Sequence, residues 1–234
     1  MPRSPTSVQR ERCGHSQHRG PVFTELLPEY VASAIFEGDD AQAEWRAQET
    51  LGLERAVESR RLEFATARAC ARRALRALGL PASTIPRGAH REPLWPQGVI
   101  GSITHCQGFR AAAVARARDL RALGIDAELD EPLPRDILEH IAGAQERTAL
   151  QGLPRSLNAD RLLFSAKEAI YKAWYPLTHQ PLGFEEVRLR LLPDQGAFAA
   201  QLLHPSAAAV AAATLQGRFL VRAGRVLTAV VLPH

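Results

Sequence analysis

Lysine is almost missing from this chain of 234 residues: two of its 29 basic side chains are lysine, Lys167 and Lys172, and the other 27 are arginine. Cysteine is scarce too. Cys13, Cys70 and Cys106 are odd in number and far apart, with no Cys-x-x-Cys pair. Neither a disulfide framework nor a cysteine-rich zinc site is supported, and a reducing, cytoplasmic setting is expected. No run of about 18 apolar residues is present, so no spanning helix is expected. Residues 1–20 are rich in Arg, Ser, Gln and His and lack an apolar stretch. They read as a disordered tail, not a secretory signal. Three loop motifs are missing as well: Gly-x-x-x-x-Gly-Lys-Ser/Thr, Gly-x-Gly-x-x-Gly and Gly-x-Ser-x-Gly. A P-loop, a dinucleotide fold and an α/β-hydrolase elbow therefore have no support.

What remains is an ordinary globular composition, 46% hydrophobic and 23% charged, long enough to bury a large core. The net charge of +4 points to an anionic partner: nucleic acid, an acidic protein or a phosphorylated small molecule. Residues 56–78 hold few helix breakers before Gly79 and Pro81, which predicts a helix. Arg61, Arg68 and Arg72 form a stripe that reads as a solvated basic face. Arg60 instead falls beside Phe64, Ala67 and Ala71 on the buried side, where a guanidinium needs an anion from this chain or a ligand. Pro- and Gly-rich residues 81–98 read as a loop. Strands are expected at Val99–Thr104, Ala111–Ala117 and Leu123–Glu128, then helical material over Leu133–Leu150. A helix over Asp160–Tyr175 should stop at Pro176. Val187, Leu189 and Leu191 alternate with polar residues as a half-buried strand does. Ala197–Leu203 reads as a strand, and Arg218–Val221 with Val226–Leu232 as a hairpin around Ala223-Gly224. The chain is thus α/β (α+β), with a tail at 1–20 and two α/β halves, 21–120 and 121–234.

Lysine is a compact point charge where arginine is a planar fork. Its retention at two places five residues apart marks the 160–175 helix as a place where charge geometry matters. Glu168 and Lys172, at i and i+4 away from the apolar stripe, read either as a surface ion pair or as part of a site. Lys167 lies on the shoulder of the apolar stripe Leu163, Ala166, Ile170, Ala173 and Trp174, with Tyr171 one turn on. A lysine there overlooks a cleft or snorkels. Asp126 and Glu128, at i and i+2 on a strand, share a face. They are either its wet face or a pair held together by a cation, for which magnesium is suited. His105 ends a strand after Ser102 and Thr104. It reads as structural or as a hydrogen-bond donor to phosphate, and it forms no nucleophilic dyad with Cys106, since strand neighbours point apart.

In this order and spacing, five segments resemble the phosphopantetheinyl transferases of the surfactin and enterobactin-synthetase type. They are Arg60-Arg61-Leu62-Glu63-Phe64-Ala65-Thr66-Ala67-Arg68, Glu92-Pro93-Leu94-Trp95-Pro96, Gly101-Ser102-Ile103-Thr104-His105-Cys106, Gly124-Ile125-Asp126-Ala127-Glu128, and Phe164 to Trp174. The likeness is strongest to the actinobacterial branch that activates carrier proteins of polyketide and peptide synthases. It implies a pseudo-twofold pair of halves with coenzyme A bound between them. It implies transfer of the 4′-phosphopantetheine arm to a serine of acyl or peptidyl carrier proteins of polyketide, peptide or fatty-acid synthases, releasing adenosine 3′,5′-bisphosphate. By the same resemblance Asp126, Glu128 and Glu168 hold magnesium, which manganese can replace. Glu168 is then the base, directly or through water, and Lys172 neutralises charge on the leaving side. Arg60, Arg68, Arg87, Thr104, His105, Cys106, Lys167 and Tyr171 bind coenzyme A. Arg87 stands where relatives commonly carry lysine. The resemblance also implies a cytoplasmic monomer acting on neither nucleic acid nor membrane. The competing readings are a non-catalytic coenzyme A or nucleotide sensor, and a basic nucleic-acid module that gives the three acids no task.

Overall fold

In the computed structural model, which describes residues 23–50, 52–210 and 214–234, four α-helices and two antiparallel sheets form a mixed α/β chain. The tail at 1–20, which includes Cys13, and residues 211–213, part of an alanine-rich stretch at 207–213, lie outside the described residues. Among the described residues no helix is long and apolar enough to cross a membrane.

The breaker-poor window forms α1 (Glu58–Ala77), and Gly79 follows at φ +75°, a left-handed conformation that glycine adopts without strain. Cys70, Ala71, Ala74 and Leu75 are fully buried against Ala112 and Val114. Small residues on both surfaces let helix and sheet approach closely. That sheet contains β1 (Ala32–Glu37), β2 (Val99–Cys106) and β3 (Phe109–Arg116), in the order β1-β3-β2. Strand β1 was not foreseen: Ala32 to Glu37 lacks polar alternation, and its state is set by pairing with β3 from Ala32↔Val114 to Glu37↔Phe109.

The second sheet runs β4-β8-β7-β6-β5. Its strands are β4 (Ala122–Leu129), β5 (Val187–Leu192), β6 (Ala197–Leu202), β7 (Thr214–Arg222) and β8 (Arg225–Leu232). The β7–β8 turn has positive φ at Ala223 and Gly224, the geometry a two-residue hairpin demands. The expected helical material resolves into α2 (Arg135–Ile141) and α3 (Ala144–Gln151). Helix α4 (Ala159–Thr178) covers this sheet and runs past Pro176, where a stop was expected. Proline removes one N–H near a helix end and disfavours, but does not forbid, a last half-turn. The chain leaves at His179, in the left-handed region at φ +52°.

Two features bring the site together. The Ser102 and Thr104 hydroxyls of β2 accept the Ile125 and Ala127 N–H groups of β4, each at 3.0 Å, so side chains stitch the two sheets side by side. Gly124 lets α4 close on β4, since a Cβ there would lie 1.9 Å from the Ala169 carbonyl oxygen.

Candidate active site

A cleft of about 580 Å³ opens between α1, β2, the 87–95 loop and α4. Of the residues marked in the sequence, Arg60, Arg68, Arg87, His105, Glu168, Tyr171 and Lys172 line it. Thr104, Cys106, Lys167 and the two strand acids Asp126 and Glu128 do not.

Asp126 is the buried anchor. Its Oδ1 accepts from Lys172 Nζ at 2.6 Å and Thr104 Oγ1 at 3.1 Å, and its Oδ2 from Ser165 Oγ at 2.8 Å. Thr104 therefore serves the seam and holds Asp126, because at 2% exposure it has no path to a ligand. Glu128 pairs with Arg161 at 3.0 Å. Burial first, and the Asp126 charge second, push its carboxyl up to about 7. Glu168 is also raised, chiefly by burial, with Lys172 opposing and Asp126 reinforcing. Among the described residues its carboxylate has no hydrogen bond or ion pair. Its oxygens are available to a proton or a cation.

Asp126, Glu128 and Glu168 supply hard oxygen donors of the type a divalent cation of the magnesium kind takes. Arg161 meets the charge of Glu128, and Glu168 carries no counter-ion of its own among the described residues. Among the described residues, however, no three such groups stand at metal-holding spacing. Lys172 neutralises Asp126 in this conformation.

Cations line the opposite wall. Arg68 and Arg72 correct the expectation of a solvated stripe: they are 4% and 3% exposed. Arg72 is neutralised by buried Glu49 at 2.6 Å. Arg68 Nε donates to the Ile85 carbonyl, and its guanidinium lies over Phe64. Burial lowers its pKa to about 10. A buried guanidinium with spare donors facing a cleft is suited to an anion. Arg60 is the reverse case. It was expected on the buried side, yet its side chain is 45% exposed, paired with Glu63 one turn on. Its helix is turned so that the cleft, not the core, lies beneath it. Tyr171 stacks on Tyr175.

Lys167 is 2% exposed and turned away from the cleft. Its ammonium donates to the Ile141 carbonyl at 2.7 Å, Glu146 Oε2 at 3.0 Å and the Phe184 carbonyl at 2.9 Å. Glu146 in turn accepts the Gly143 and Leu189 N–H groups. Three acceptors saturate this lysine, so it ties α2, α3 and the turn at Phe184 to α4, and Glu146 extends the tie to β5 through Leu189. Removing one partner of such a pair strands the other charge. Lys167→Met is expected to cost about 3–5 kcal/mol in urea unfolding while leaving anion binding in the cleft unchanged. Lost binding at wild-type stability would return Lys167 to the ligand.

Sequence reasoning missed Glu63, Ser165, Arg161, Glu146 and Tyr175. Arg161 lies seven residues before Glu168 on one face of α4, a helical repeat that marks them as neighbours of one surface. Ser165 carried no comparable signal.

The 4′-phosphopantetheinyl transferase N-terminal domain family matches residues 47–115, and the 4′-phosphopantetheinyl transferase superfamily matches residues 122–230. The chain is 46% identical over 220 residues to 4′-phosphopantetheinyl transferase Svp of Streptomyces mobaraensis, covering 90% of this chain and 89% of that protein. It is 44% identical over 224 residues to 4′-phosphopantetheinyl transferase PptT of Mycobacterium tuberculosis, covering 91% and 99%. Enterobactin synthase component D of Salmonella typhi is 34% identical over 183 residues, covering 76% and 74%.

Proposed function

The chain belongs to the 4′-phosphopantetheinyl transferase superfamily, and from that premise we propose that it moves the 4′-phosphopantetheine arm of coenzyme A onto a serine of acyl and peptidyl carrier proteins. The observation that carries this reading is the unpartnered Glu168 carboxylate. It shares one cleft with Lys172 and Tyr171 on its own helix and with Arg60, Arg68, Arg87 and His105 across from it.

Two halves, 21–120 and 121–234, related by pseudo-twofold symmetry, would hold coenzyme A between them. The arginine wall binds its phosphates, and Tyr171 covers the diphosphate. Glu168 accepts the proton of the serine hydroxyl as oxygen attacks the β-phosphorus in line, and adenosine 3′,5′-bisphosphate leaves. A carboxylate raised by burial is better matched to that task than an exposed one. Lys172, released from Asp126, meets the charge growing on the leaving phosphate. A magnesium ion held by Asp126 and Glu168, with Glu128 beside them, would supply charge neutralisation to the diphosphate. Phosphoryl transfer depends mostly on such positioning. The Pro132–Arg155 segment, with Arg135, Arg147 and exposed Ile137, suits an acidic carrier surface. The protein would work as a cytoplasmic monomer.

Incubation with coenzyme A, magnesium and an apo carrier protein should add one phosphopantetheine mass to the carrier, and a chelator should stop it. Tight coenzyme A binding without transfer would favour a sensor. Lys172→Arg should slow transfer by about 10-fold or more, read by the same mass assay, because a fork cannot replace a point charge that must leave Asp126 for a phosphate.

A further inference from the structure

His105 stands at the mouth of the cleft, its ring 41% exposed, between groups of both signs. Glu63 of α1 approaches Nδ1, with Oε1 at 2.9 Å. On the other side, Arg60 Nη1 lies 3.3 Å from Nε2. A guanidinium has donors only, so this contact is favourable only when Nε2 accepts. The proton must then sit on Nδ1, where Glu63 accepts it. One tautomer satisfies both neighbours.

Glu63 is itself held. It pairs with Arg60 on its own helix, and Arg110 of β3 stands 3.6 Å from Oε1 while bonding Asp39 at 2.8 Å. The charged groups around the ring are therefore Glu63 and Arg60 from α1, Arg110 from β3, and Lys172 from α4. Desolvation holds the ring below its ordinary pKa of 6.5. Glu63 opposes this, while Arg60, Lys172 and Arg110 add to it. Near neutral pH the ligand-free ring is neutral.

From this geometry, and resting on the reading of the cleft as a coenzyme A site, we propose that Glu63 is a positioning residue: it fixes His105 as the Nδ1–H tautomer, so that an anion entering beside Arg60 draws a proton onto Nε2. The balance is simple. A phosphate oxygen takes the Arg60 donor that Nε2 had accepted. Nε2 then takes one proton from solvent and donates it to the same phosphate. The imidazolium so formed lies between two anions, the phosphate and Glu63. No bond to phosphorus is made or broken. Because the free ring is neutral and the bound ring charged, binding weakens as pH rises through the pKa of the complex.

Two measurements test this. In the ligand-free protein, nitrogen NMR of the histidine rings should show His105 as the Nδ1–H tautomer; the Nε2–H tautomer overturns the proposal. Calorimetric titration with coenzyme A at about pH 7.5, in buffers of different ionisation enthalpy, should show uptake approaching one proton in the wild type. Glu63→Gln removes the charge and keeps the shape, so uptake should fall by half or more, with about 10-fold weaker binding that recovers as pH is lowered. His105→Gln should take up none, which separates the ring from the titrating phosphate. Equal proton uptake in wild type and Glu63→Gln overturns this inference alone. Failure of the wild type to bind coenzyme A overturns the reading of the cleft as well.

Discussion

Glu168→Gln is expected to reduce transfer by about 10²–10⁴-fold while the fold and coenzyme A binding survive. The amide keeps the volume of the side chain and its place on α4. It cannot take a proton from a serine hydroxyl, and it is a poor partner for a divalent cation. The Glu168 side chain makes no hydrogen bond or ion pair among the described residues, so no side-chain contact of that kind is broken. Its raised proton affinity, caused mainly by burial, makes the neutral amide no harder to accommodate than the acid. Carrier mass gain at saturating coenzyme A reads the loss, and calorimetry reads the retained binding. Near-normal turnover would remove the base role.

Asp126→Asn should be as damaging to turnover, by about 10²-fold or more, but for a different reason and with a structural cost. Asp126 receives Lys172, Thr104 and Ser165 at once. An asparagine retains one acceptor oxygen and leaves the Lys172 charge without its anion. The cost is about 1–3 kcal/mol in stability. Asp126→Ala would remove every acceptor and cost about 3–5 kcal/mol, which makes asparagine the cleaner test. Turnover and urea unfolding measured on the same preparation separate the two effects. Full activity in Asp126→Asn would mean that Lys172 needs no buried carboxylate to be placed.

The residues that shape the cleft were largely legible because they carry patterns. The helical repeat of α4 reports the face that lines the cleft, whereas the i, i+2 acids report a strand face whose members, Asp126 and Glu128, do not line it. Lysine in an arginine-rich chain also pointed to α4, one wall of the cleft. It marked two different tasks, however, and the sequence could not tell them apart. Lys172 reaches the cleft. Lys167, five positions earlier, is turned into a buried node with Glu146, a partner 21 residues away. Ion pairs between distant elements leave no periodic trace. The same is true of Arg72 with Glu49 and of Glu63 with His105. Arg68 and Arg72 read as solvated because helical angle alone does not reveal that residues 44–50 and Ile85 cover that face. Strand β1 was illegible for a related reason: its register is supplied by β3. Pro176 misled because a proline near a helix end is tolerated more readily than one at its centre.

The central claim is that Asp126 and Glu168, from a strand and a helix, act on one divalent cation beside a bound diphosphate. Titrating manganese into the coenzyme A complex, followed by electron paramagnetic resonance, tests it most directly. The wild type should bind one ion tightly, and Asp126→Asn and Glu168→Gln should each weaken it by about 10-fold or more. Wild-type manganese affinity in both variants would contradict the account.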